Sequence, residues 1–592
     1  MNQPILVRDP DGHPPARPRR ASLLWLLGAS LLAYSIAIAA TGGVDVTVAG
    51  VRVRSRTWQR PAVLGGLCLL AVAVTDRRRA LSVARHITRS AARRLDRAWP
   101  AVSPRVVAMA ATAWTLGAGL AFSTCVAGGA DSSGYLNQAR LFARGRLLDD
   151  TRLDARPPAR EPAWTVAPLG YRPARDGERL APTYPPGYPL LMAAGFLVQE
   201  RAAFLVVPIC GALAVWLTFA IGARLGEGGA GAAAALLLSV SPTFLHQLVQ
   251  PMSDVPATAA WLLALATAMR PTGSSAALAG AAAGAAILIR PNLAPLAALA
   301  WSICALADGS QAKWRRAAIA VSGTLPAIVA LGYIQEVRYG SPWSSGYGPT
   351  SQLFAWANVG PNLDRYPRWL VETHTPLIAL FVLAPLWMFR ARVPLRRLFM
   401  TLWLFAVAVP LAYLPYVYFQ EWEWTYTRFL LPAIPVMWFL TFTPIARLLR
   451  NARPALTAAL AVPVLLALTI FSLVVSARGF VFELRDGERK YVSAADYVRR
   501  ALPPNAVLIS MQHSGSLWYY TRRPVFRWDD IEPRRLDETI DWSTAHGYAP
   551  AFVVDAEEFE RVKERFGPAG QRSLGRVRQV ARFGDAVIYE VD

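Results

Sequence analysis

The apolar run VVAMAATAWTLGAGLAFSTCVAGGA at Val106–Ala130 is followed directly by Asp131-Ser132-Ser133-Gly134-Tyr135. A run of this length suits one passage through a bilayer core, which needs about 20 apolar residues. An ionised carboxylate at the end of such a run is costly to keep there, so it indicates a functional site. The stretch therefore predicts a membrane protein with a polar site at one end of a span.

A long segment follows, from Asp131 to about Arg201, and it is too long to serve only as a connection between spans. It contains the sequence Pro182-Thr183-Tyr184-Pro185-Pro186-Gly187-Tyr188-Pro189. We expect a membrane enzyme whose chemistry lies at one face of the membrane.

Apolar runs recur along the 592 residues, 54% of which are hydrophobic. The sequence predicts an α-helical polytopic membrane protein with about 13 transmembrane helices, within a range of about eleven to fourteen. The sixth to eighth runs are rich in Ala and Gly and are expected to be tilted, broken or re-entrant. The predicted spans lie at about residues 22–40, 62–75, 106–128, 203–225, 229–247, 255–270, 273–289, 291–307, 315–334, 375–391, 398–418, 428–448 and 453–476.

The net charge of +23 comes largely from arginines in short segments beside the apolar runs. Loops rich in Lys and Arg stay in the cytoplasm, so this bias is a topological signal and no nucleic-acid partner is expected. The loop Arg77–Arg105 is the most basic, and we place it inside together with Arg390–Arg397 and Arg447–Arg453. Asp131, Asp254, Arg290, Arg428 and the C-terminal tail are then all outside.

Four regions follow from this topology. Residues 1–20 are predicted to be a disordered cytoplasmic tail. Residues 21–104 form a two-span hairpin with a small outer β-hairpin at Val44–Arg54 and the basic cytoplasmic loop. Residues 105–476 form the transmembrane catalytic domain. Residues 477–592 form an extracytoplasmic α/β domain with strands near Ala506–Ser510, Ala551–Asp555 and Ala586–Val591 and helices near Tyr491–Leu502 and Glu557–Phe566.

The four cysteines all lie within apolar runs, at Cys68, Cys125, Cys210 and Cys304. We therefore expect neither a disulfide framework nor a metal site made of thiolates.

Asp131 and Tyr135 are four residues apart and share one face if the backbone there is helical. Asp131 can act as a general base that takes a proton from an attacking hydroxyl. The alternative is an aspartate that caps a helix or forms an ion pair at the end of a span. The spacing alone does not decide between the two.

A second acidic residue lies in Gln250-Pro251-Met252-Ser253-Asp254-Val255-Pro256, also at an outer end of a span. Ser253 or Asp254 suits the cap of the next helix, with Pro256 in its first turn. Capping is the favoured interpretation, and it does not exclude a contact with substrate.

Two arginines stand at outer edges, in Arg290-Pro291-Asn292 and in Tyr426-Thr427-Arg428-Phe429-Leu430-Leu431-Pro432. Lys and Arg are concentrated in cytoplasmic loops, so arginines on the outer face are unusual. A guanidinium suits two phosphate oxygens and keeps its charge at physiological pH. The alternative is an arginine whose side chain reaches the lipid headgroups, and both interpretations stay open.

Together these residues resemble the GT-C glycosyltransferases, and most closely the glycosyltransferase family 39-like branch with protein O-mannosyltransferases and the lipid A aminoarabinose transferase. Four features carry the resemblance, over about residues 105–450. They are Asp131 with Tyr135, the segment Tyr184–Pro189, the outer Met252-Ser253-Asp254, and Arg428-Phe429-Leu430-Leu431-Pro432 at the start of a late span.

The resemblance implies an inverting transfer of a sugar from a polyprenyl-phosphate donor to an acceptor in the cell envelope, which is a lipid, a glycan or a protein. It implies an enzyme of the cytoplasmic (inner) membrane whose active face is extracytoplasmic. Asp131 is the expected catalytic base. The expected substrate-binding residues are Tyr135, Tyr184, Tyr188, Asp254, Arg290 and Arg428.

One departure concerns the residue before the Pro-Pro pair, which is often Lys in related transferases and is Tyr184 here. Phosphate binding is then expected to rest on Arg290 and Arg428. The metal question stays open, because Asp131 and Asp254 offer oxygen ligands for a possible divalent cation.

Two other classes of protein fit the sequence less well. A transporter or flippase of a lipid-linked substrate would place its ionisable residues near the middle of the membrane and often shows related halves. Here the charges cluster at one face, and no clear internal repeat is visible. A non-catalytic scaffold would leave the Tyr-Pro-Pro-Gly-Tyr-Pro segment and the outer arginines unexplained.

Overall fold

The computed structural model describes residues 103–153, 155–306, 313–389, 392–417, 423–450 and 454–592, and before them residues 44–48, 51–55, 61–66 and a few single positions. The predicted tail 1–20 and nearly all of the arginine-rich loop lie outside the described residues. The chain forms two compact units, Met1–Ala101 with Ala452–Val474, and Val102–Asn451 with Val475–Asp592.

The first unit contains a β-hairpin where alternating apolar and polar residues predict one. Strand β1 (Val44–Val48) pairs antiparallel with β2 (Val51–Ser55), and Val46 lies opposite Val53. The strands of the predicted hairpin are present, and its location outside the cytoplasm stays a prediction.

The second unit begins with helix α1 (Pro104–Phe122), whose proline at the first turn favours helix initiation. The chain then leaves the helical conformation and enters a separate helix, α2 (Ala130–Ala143). Gly129, at φ 52°, adopts the left-handed region that glycine tolerates. Asp131 therefore lies in the first turn of its own helix, and the predicted span 106–128 was wrong at its C-terminal end.

The segment after α2 forms a small antiparallel sheet in the order β3-β5-β4. The sheet ends immediately before Thr183 and Tyr184, and α4 begins two residues after Pro185. This arrangement fixes both ends of the Tyr-Pro-Pro segment. The elements are β3 (Asp149–Asp150), α3 (Pro162–Thr165), β4 (Tyr171–Pro173), β5 (Arg179–Pro182) and α4 (Gly187–Phe196).

Thirteen further helices complete the apolar part, several of them joined by short 3-10 segments. The α-helices are α5 (Val206–Arg224), α6 (Gly228–Ser239), α7 (Pro242–Leu248), α8 (Asp254–Ala268), α9 (Gly273–Ile289), α10 (Ala297–Leu306), α11 (Lys313–Tyr339), α12 (Thr350–Leu353), α13 (Val359–His374), α14 (Ala384–Met388), α15 (Val393–Tyr413), α16 (Ile434–Leu449) and α17 (Pro454–Arg478). The 3-10 segments are Glu200–Leu205, Pro291–Leu296, Trp356–Asn358, Pro376–Leu383 and Glu423–Leu430.

Among the described residues, five helices are long and apolar enough to cross a membrane, or up to eight if each of three bent pairs counts as one span. The bends are 58°, 118° and 82°, and a proline lies at each break. The Ala/Gly-rich helices α8 and α9 have 15 and 17 residues, which is short for a bilayer core. The chain is a multi-pass membrane protein, and the count of thirteen spans stays a prediction.

Helix α9 packs closely on α11 through glycine. A Cβ atom at Gly280 would lie 2.0 Å from the carbonyl oxygen of Ala320, and one at Gly323 would lie 2.7 Å from that of Ala277. Small residues allow such close approach of membrane helices. The contact fixes α11, whose last turn reaches the cavity described below.

The polar C-terminal part is an α/β fold with a five-stranded sheet in the order β7-β6-β8-β10-β9. β6 is parallel to β7 and β8, whereas β8, β10 and β9 are antiparallel. The strands predicted near residues 506, 551 and 586 are present. The elements are α18 (Leu484–Ala501), β6 (Ala506–Ile509), α19 (Ser514–Thr521), β7 (Val525–Phe526), α20 (Leu536–Ala545), β8 (Ala549–Asp555), α21 (Ala556–Phe566), α22 (Gln571–Leu574), β9 (Val577–Phe583) and β10 (Ala586–Val591).

Candidate active site

A cavity of about 660 Å³ opens beside the start of α2. Its wall comes from distant parts of the chain. These are α2, the Tyr-Pro-Pro segment, the start of α8, the start of the 3-10 segment after α9, the end of α11 with the segment that follows it, the end of α15, and the 3-10 segment before α16. Six of the seven residues predicted for the site line it: Asp131, Tyr135, Tyr184, Asp254, Arg290 and Arg428.

The Asp131 carboxylate is held by one hydrogen-bond donor on each oxygen. Tyr184 Oη donates to Oδ1 at 2.7 Å, and Arg428 Nη1 donates to Oδ2 at 3.2 Å. The helix dipole at the first turn of α2 adds stabilisation of the negative charge. Each oxygen keeps a free lone pair, so the carboxylate can still accept a substrate hydroxyl.

Tyr184 donates this bond as a protonated phenol, because burial and the charge of Asp131 raise the pKa of Tyr184 well above its ordinary value. Its ring lies against the backbone of α2. A Cβ atom at Gly134 would come within 2.2 Å of the ring. Glycine at position 134 is therefore what lets Tyr184 reach Asp131.

Tyr135 and Tyr188 form an aromatic layer beneath Tyr184. The Tyr135 ring lies 4.6 Å from that of Tyr184 and 5.0 Å from that of Tyr188. The Tyr135 hydroxyl is 3.0 Å from Ser253 Oγ. Tyr188 is fully buried behind Tyr135 and does not line the cavity, so its predicted contact with substrate is not supported by its position.

A second ion pair lies deeper. Arg290 Nη2 donates to Asp254 Oδ1 at 2.5 Å, and Arg290 Nη1 donates to Tyr413 Oη at 2.9 Å. The Asp254 side chain is 1% exposed and that of Arg290 is 12% exposed. Asp254 is the first residue of α8, but Ser253 makes no side-chain cap bond. Neither residue forms the cap expected of Ser253 or Asp254, since the Ser253 hydroxyl contacts Tyr135 and the Asp254 carboxylate is paired with Arg290.

Each of the two carboxylates of the cavity thus forms an ion pair with an arginine. The described part of the chain contains no group of three or more His, Cys, Asp or Glu side chains that could hold a metal ion. A divalent cation between Asp131 and Asp254 stays a prediction, and it would have to compete with Arg428 and Arg290.

The C-terminal domain supports α2 from the side away from the cavity. Asn137 Nδ2 donates to the carbonyl of Gly515 at 3.0 Å, and the backbone N–H of Ala127 donates to Tyr520 Oη at 2.8 Å. The Glu488 carboxylate packs against Gly128, where a Cβ atom would lie 1.7 Å from its oxygen. Burial raises the pKa of Glu488 to about 7. Through these contacts the C-terminal domain packs against α2 and the residues just before it.

Sequence reasoning missed several cavity residues, among them Arg338, Tyr347 and Tyr413. The Tyr347 ring lies 5.8 Å from that of Tyr184, edge to face. Arg338 had a usable signal, because it is an arginine at the outer end of a predicted span, as Arg290 and Arg428 are. Tyr413 had none, since an aromatic residue at a span end is common.

Comparison with known proteins gives two findings. Residues 183–333 match the family model of the dolichyl-phosphate-mannose-protein mannosyltransferases. The fold is similar to that of ArnT from Cupriavidus metallidurans bound to undecaprenyl phosphate, with a TM-score of 0.54, 15% identity, and coverage of 81% of this chain and 97% of that chain. Its apo state gives a TM-score of 0.54 at 16% identity, covering 82% and 98%.

An oligosaccharyltransferase from Archaeoglobus fulgidus is also similar, with a TM-score of 0.49 at 12% identity and coverage of 83% of this chain and 74% of that chain. No curated protein sequence matches significantly. The family match covers only part of the chain, and the likeness to ArnT is one of fold. Together they show a segment similar to that family within a chain that has the fold of ArnT.

Proposed function

We propose that this chain transfers a sugar from a polyprenyl-phosphate donor to a hydroxyl acceptor at the cavity beside α2, with inversion at the anomeric carbon. The observation that carries the proposal is the carboxylate of Asp131, which faces the cavity between a phenol and a guanidinium. The solved ArnT structure holds undecaprenyl phosphate, which supports a polyprenyl-phosphate donor for the same fold.

Asp131 is the proposed general base. The acceptor hydroxyl hydrogen-bonds to a free lone pair of the carboxylate and loses its proton there as its oxygen attacks the anomeric carbon. The bond between that carbon and the phosphate oxygen breaks, and its electron pair leaves with the phosphate. Tyr184 and Arg428 hold the carboxylate in place during this step.

Arg428 and Arg290 are the proposed phosphate-binding residues. A phosphate leaving group is already ionised, so fixed positive charge near it does more than a general acid would. Within the described residues, Arg428 Nε is buried and has no hydrogen-bond partner, so this N–H is available. Arg290 is engaged through both terminal nitrogens, which makes Arg428 the stronger candidate.

The donor's lipid explains why such an enzyme is embedded in a membrane. The polyprenyl tail would lie between spans while the sugar phosphate reaches the cavity. We place the cavity and the C-terminal domain outside the cytoplasm, in the cytoplasmic (inner) membrane, with an acceptor that is a lipid, a glycan or a protein of the envelope. A reporter active only in the cytoplasm, fused after Asp592, should stay silent, and strong activity would overturn this topology.

The function itself is tested by mass spectrometry of envelope glycans and lipids from cells with and without this protein. Cells with it should carry a sugar modification that disappears on deletion and returns with the wild-type gene. The Asp131→Asn variant is the matched control, because it should be made and inserted but should not restore the modification. Identical envelopes in all strains would contradict a transferase.

A further inference from the structure

The charged side chains of the cavity leave no carboxylate free for a cation. Among the residues that the structure describes, five charged side chains line the cavity: Asp131, Asp254, Arg290, Arg338 and Arg428. Both aspartates are paired with arginines. Three arginines against two aspartates give the wall a formal charge of +1. An anionic donor phosphate fits this balance, whereas a cationic sugar would be repelled by it.

Two amide side chains of the wall, Asn292 and Gln335, are available to a ligand. Both line the cavity, and within the described ranges neither amide forms a hydrogen bond with the protein. By contrast, the amide of the fully buried Gln138, oriented to satisfy its neighbours, bonds Tyr184 and Arg338. An amide both donates and accepts hydrogen bonds, as the hydroxyls of a sugar do. Asn292 and Gln335 therefore suit a ligand rich in hydroxyl groups.

The backbone that carries these two amides is fixed. Asn292 follows Arg290 by two residues, and both terminal nitrogens of Arg290 donate hydrogen bonds within the wall. Gln335 lies on α11 one turn before Tyr339, whose hydroxyl donates to the carbonyl of Pro182 at 2.5 Å. Groups on a fixed backbone lose little freedom when a ligand binds, so their hydrogen bonds contribute to affinity and selectivity.

A tryptophan of the wall adds an apolar surface. Trp343 lies between α11 and α12, lines the cavity and is 91% exposed. Its segment is held in place, because Arg172 Nη1 donates to the carbonyls of Ser345 at 3.1 Å and Gly346 at 3.2 Å. A Cβ atom at Gly346 would clash with the carbonyl oxygen of Thr183. The face of an indole suits the C–H face of a sugar ring, and its N–H can donate to a hydroxyl.

We propose that the sugar of the donor is uncharged, that its hydroxyls bind Asn292 and Gln335, and that Trp343 covers one face of its ring. The inference rests on the proposed function and names the class of sugar. The donor sugar lies between Asp131 and Arg428 during transfer, so it occupies this cavity whatever the acceptor is. A cationic sugar would find no free carboxylate there, and an anionic sugar would compete with the phosphate for the arginines.

The test measures binding and not turnover. The full chain in lipid nanodiscs is titrated with polyprenyl phosphate, with polyprenyl phosphates that carry mannose, glucose or arabinose, and with one that carries aminoarabinose. At least one of the three uncharged sugars should raise the affinity about tenfold over polyprenyl phosphate and over the aminoarabinose lipid, the size expected for one or two added hydrogen bonds. The inference is wrong if polyprenyl phosphate binds and no uncharged sugar adds affinity.

The role of the amides is tested at Gln335. Gln335→Leu should lower the affinity for the preferred sugar lipid about two- to tenfold, because it removes the amide and keeps much of the bulk. Its affinity for polyprenyl phosphate should stay the same, since that lipid carries no sugar. Gln335→Glu adds the carboxylate that the wall lacks, so it should raise the affinity for the aminoarabinose lipid. Gln352→Leu is the matched control, because Gln352 is exposed on α12 and lies outside the cavity wall.

The role of the indole is tested with two exposed tryptophans. Trp343→Ala should also lower the affinity for the sugar lipid about two- to tenfold. Trp356→Ala is the control, since Trp356 is 88% exposed but lies outside the cavity wall, and a tryptophan that only anchors the chain at the membrane interface would behave like it.

Three results would overturn the proposal: Gln335→Leu behaves like Gln352→Leu, Trp343→Ala behaves like Trp356→Ala, or the aminoarabinose lipid binds most tightly to the wild type. A wild type that binds none of these lipids would instead contradict the proposed function itself.

Discussion

The two ion pairs of the cavity use the same residue types in different surroundings. The Asp131–Arg428 pair has side chains 34% and 21% exposed, whereas in the Asp254–Arg290 pair they are 1% and 12% exposed. An accessible pair can exchange its partner for a substrate at small cost. A buried pair cannot, because either charge left alone would be strongly destabilised. The open pair is therefore suited to chemistry. The closed pair holds the wall of the cavity, and Arg290 would lend its charge to a phosphate while it stays paired with Asp254.

The largest expected effect is on turnover at the open pair. Asp131→Asn keeps the shape of the side chain but cannot take up a proton, so the rate of sugar transfer should fall by about 10²–10⁴. The measurement is transfer from a polyprenyl-phosphate sugar at saturating donor. A loss within about twofold would remove Asp131 as the general base.

Breaking the closed pair, Asp254–Arg290, should lower the free energy of unfolding. Asp254→Asn leaves Arg290 buried without its carboxylate, and breaking such a pair typically costs about 3–5 kcal/mol in the free energy of unfolding. Asp131→Asn should cost less than about 1 kcal/mol, because Arg428 stays partly solvated. Thermal unfolding of both variants in the same detergent tests the contrast. Equal shifts of the unfolding midpoint in Asp254→Asn and Asp131→Asn would show that the two ion pairs contribute equally to stability despite their different exposure.

A third effect separates charge from geometry at the open pair. Arg428→Lys should weaken polyprenyl-phosphate binding by about tenfold, because a point charge does not reproduce the planar fork of a guanidinium. Arg428→Ala should weaken it further. An arginine that only reaches the lipid headgroups would tolerate lysine, and equal affinity in all three proteins would take Arg428 out of the site.

The smallest effect concerns the second donor to Asp131. Tyr184→Phe removes one hydrogen bond, worth about 0.5–1.5 kcal/mol, so the rate should fall about two- to tenfold while the fold is retained. The ring still packs on Gly134, which preserves the rest of the wall. A loss as large as that of Asp131→Asn would instead give Tyr184 a direct role in catalysis.

Much of this site could be predicted because its polar residues interrupt apolar runs. Asp131, Asp254, Arg290 and Arg428 each stand at the end of such a run, where a charge is costly and therefore informative. Their pairing could not be predicted, since Arg428 and Asp131 are 297 residues apart and nothing local relates them.

The wrong predictions for the end of the span 106–128 and for Tyr188 have local causes. The break before α2 depends on the positive φ of Gly129, which a pattern of apolar residues does not record. Tyr188 belongs to the same aromatic motif as Tyr184, and only packing distinguishes the buried ring from the one that reaches Asp131. The strands were easier to predict. The N-terminal hairpin shows alternation of apolar and polar residues, and the strands of the C-terminal domain are short apolar runs rich in β-branched residues.

The contact between α19 and α2 also bears on the order in which the protein becomes functional. Gly515 and Tyr520, which hydrogen-bond to α2 and to the residue Ala127 before it, are translated almost 400 residues later. A nascent or truncated chain that ends before them has Asp131 but lacks the brace of its helix. Under the proposed function, such a chain should therefore transfer sugar poorly even when it is inserted in the membrane.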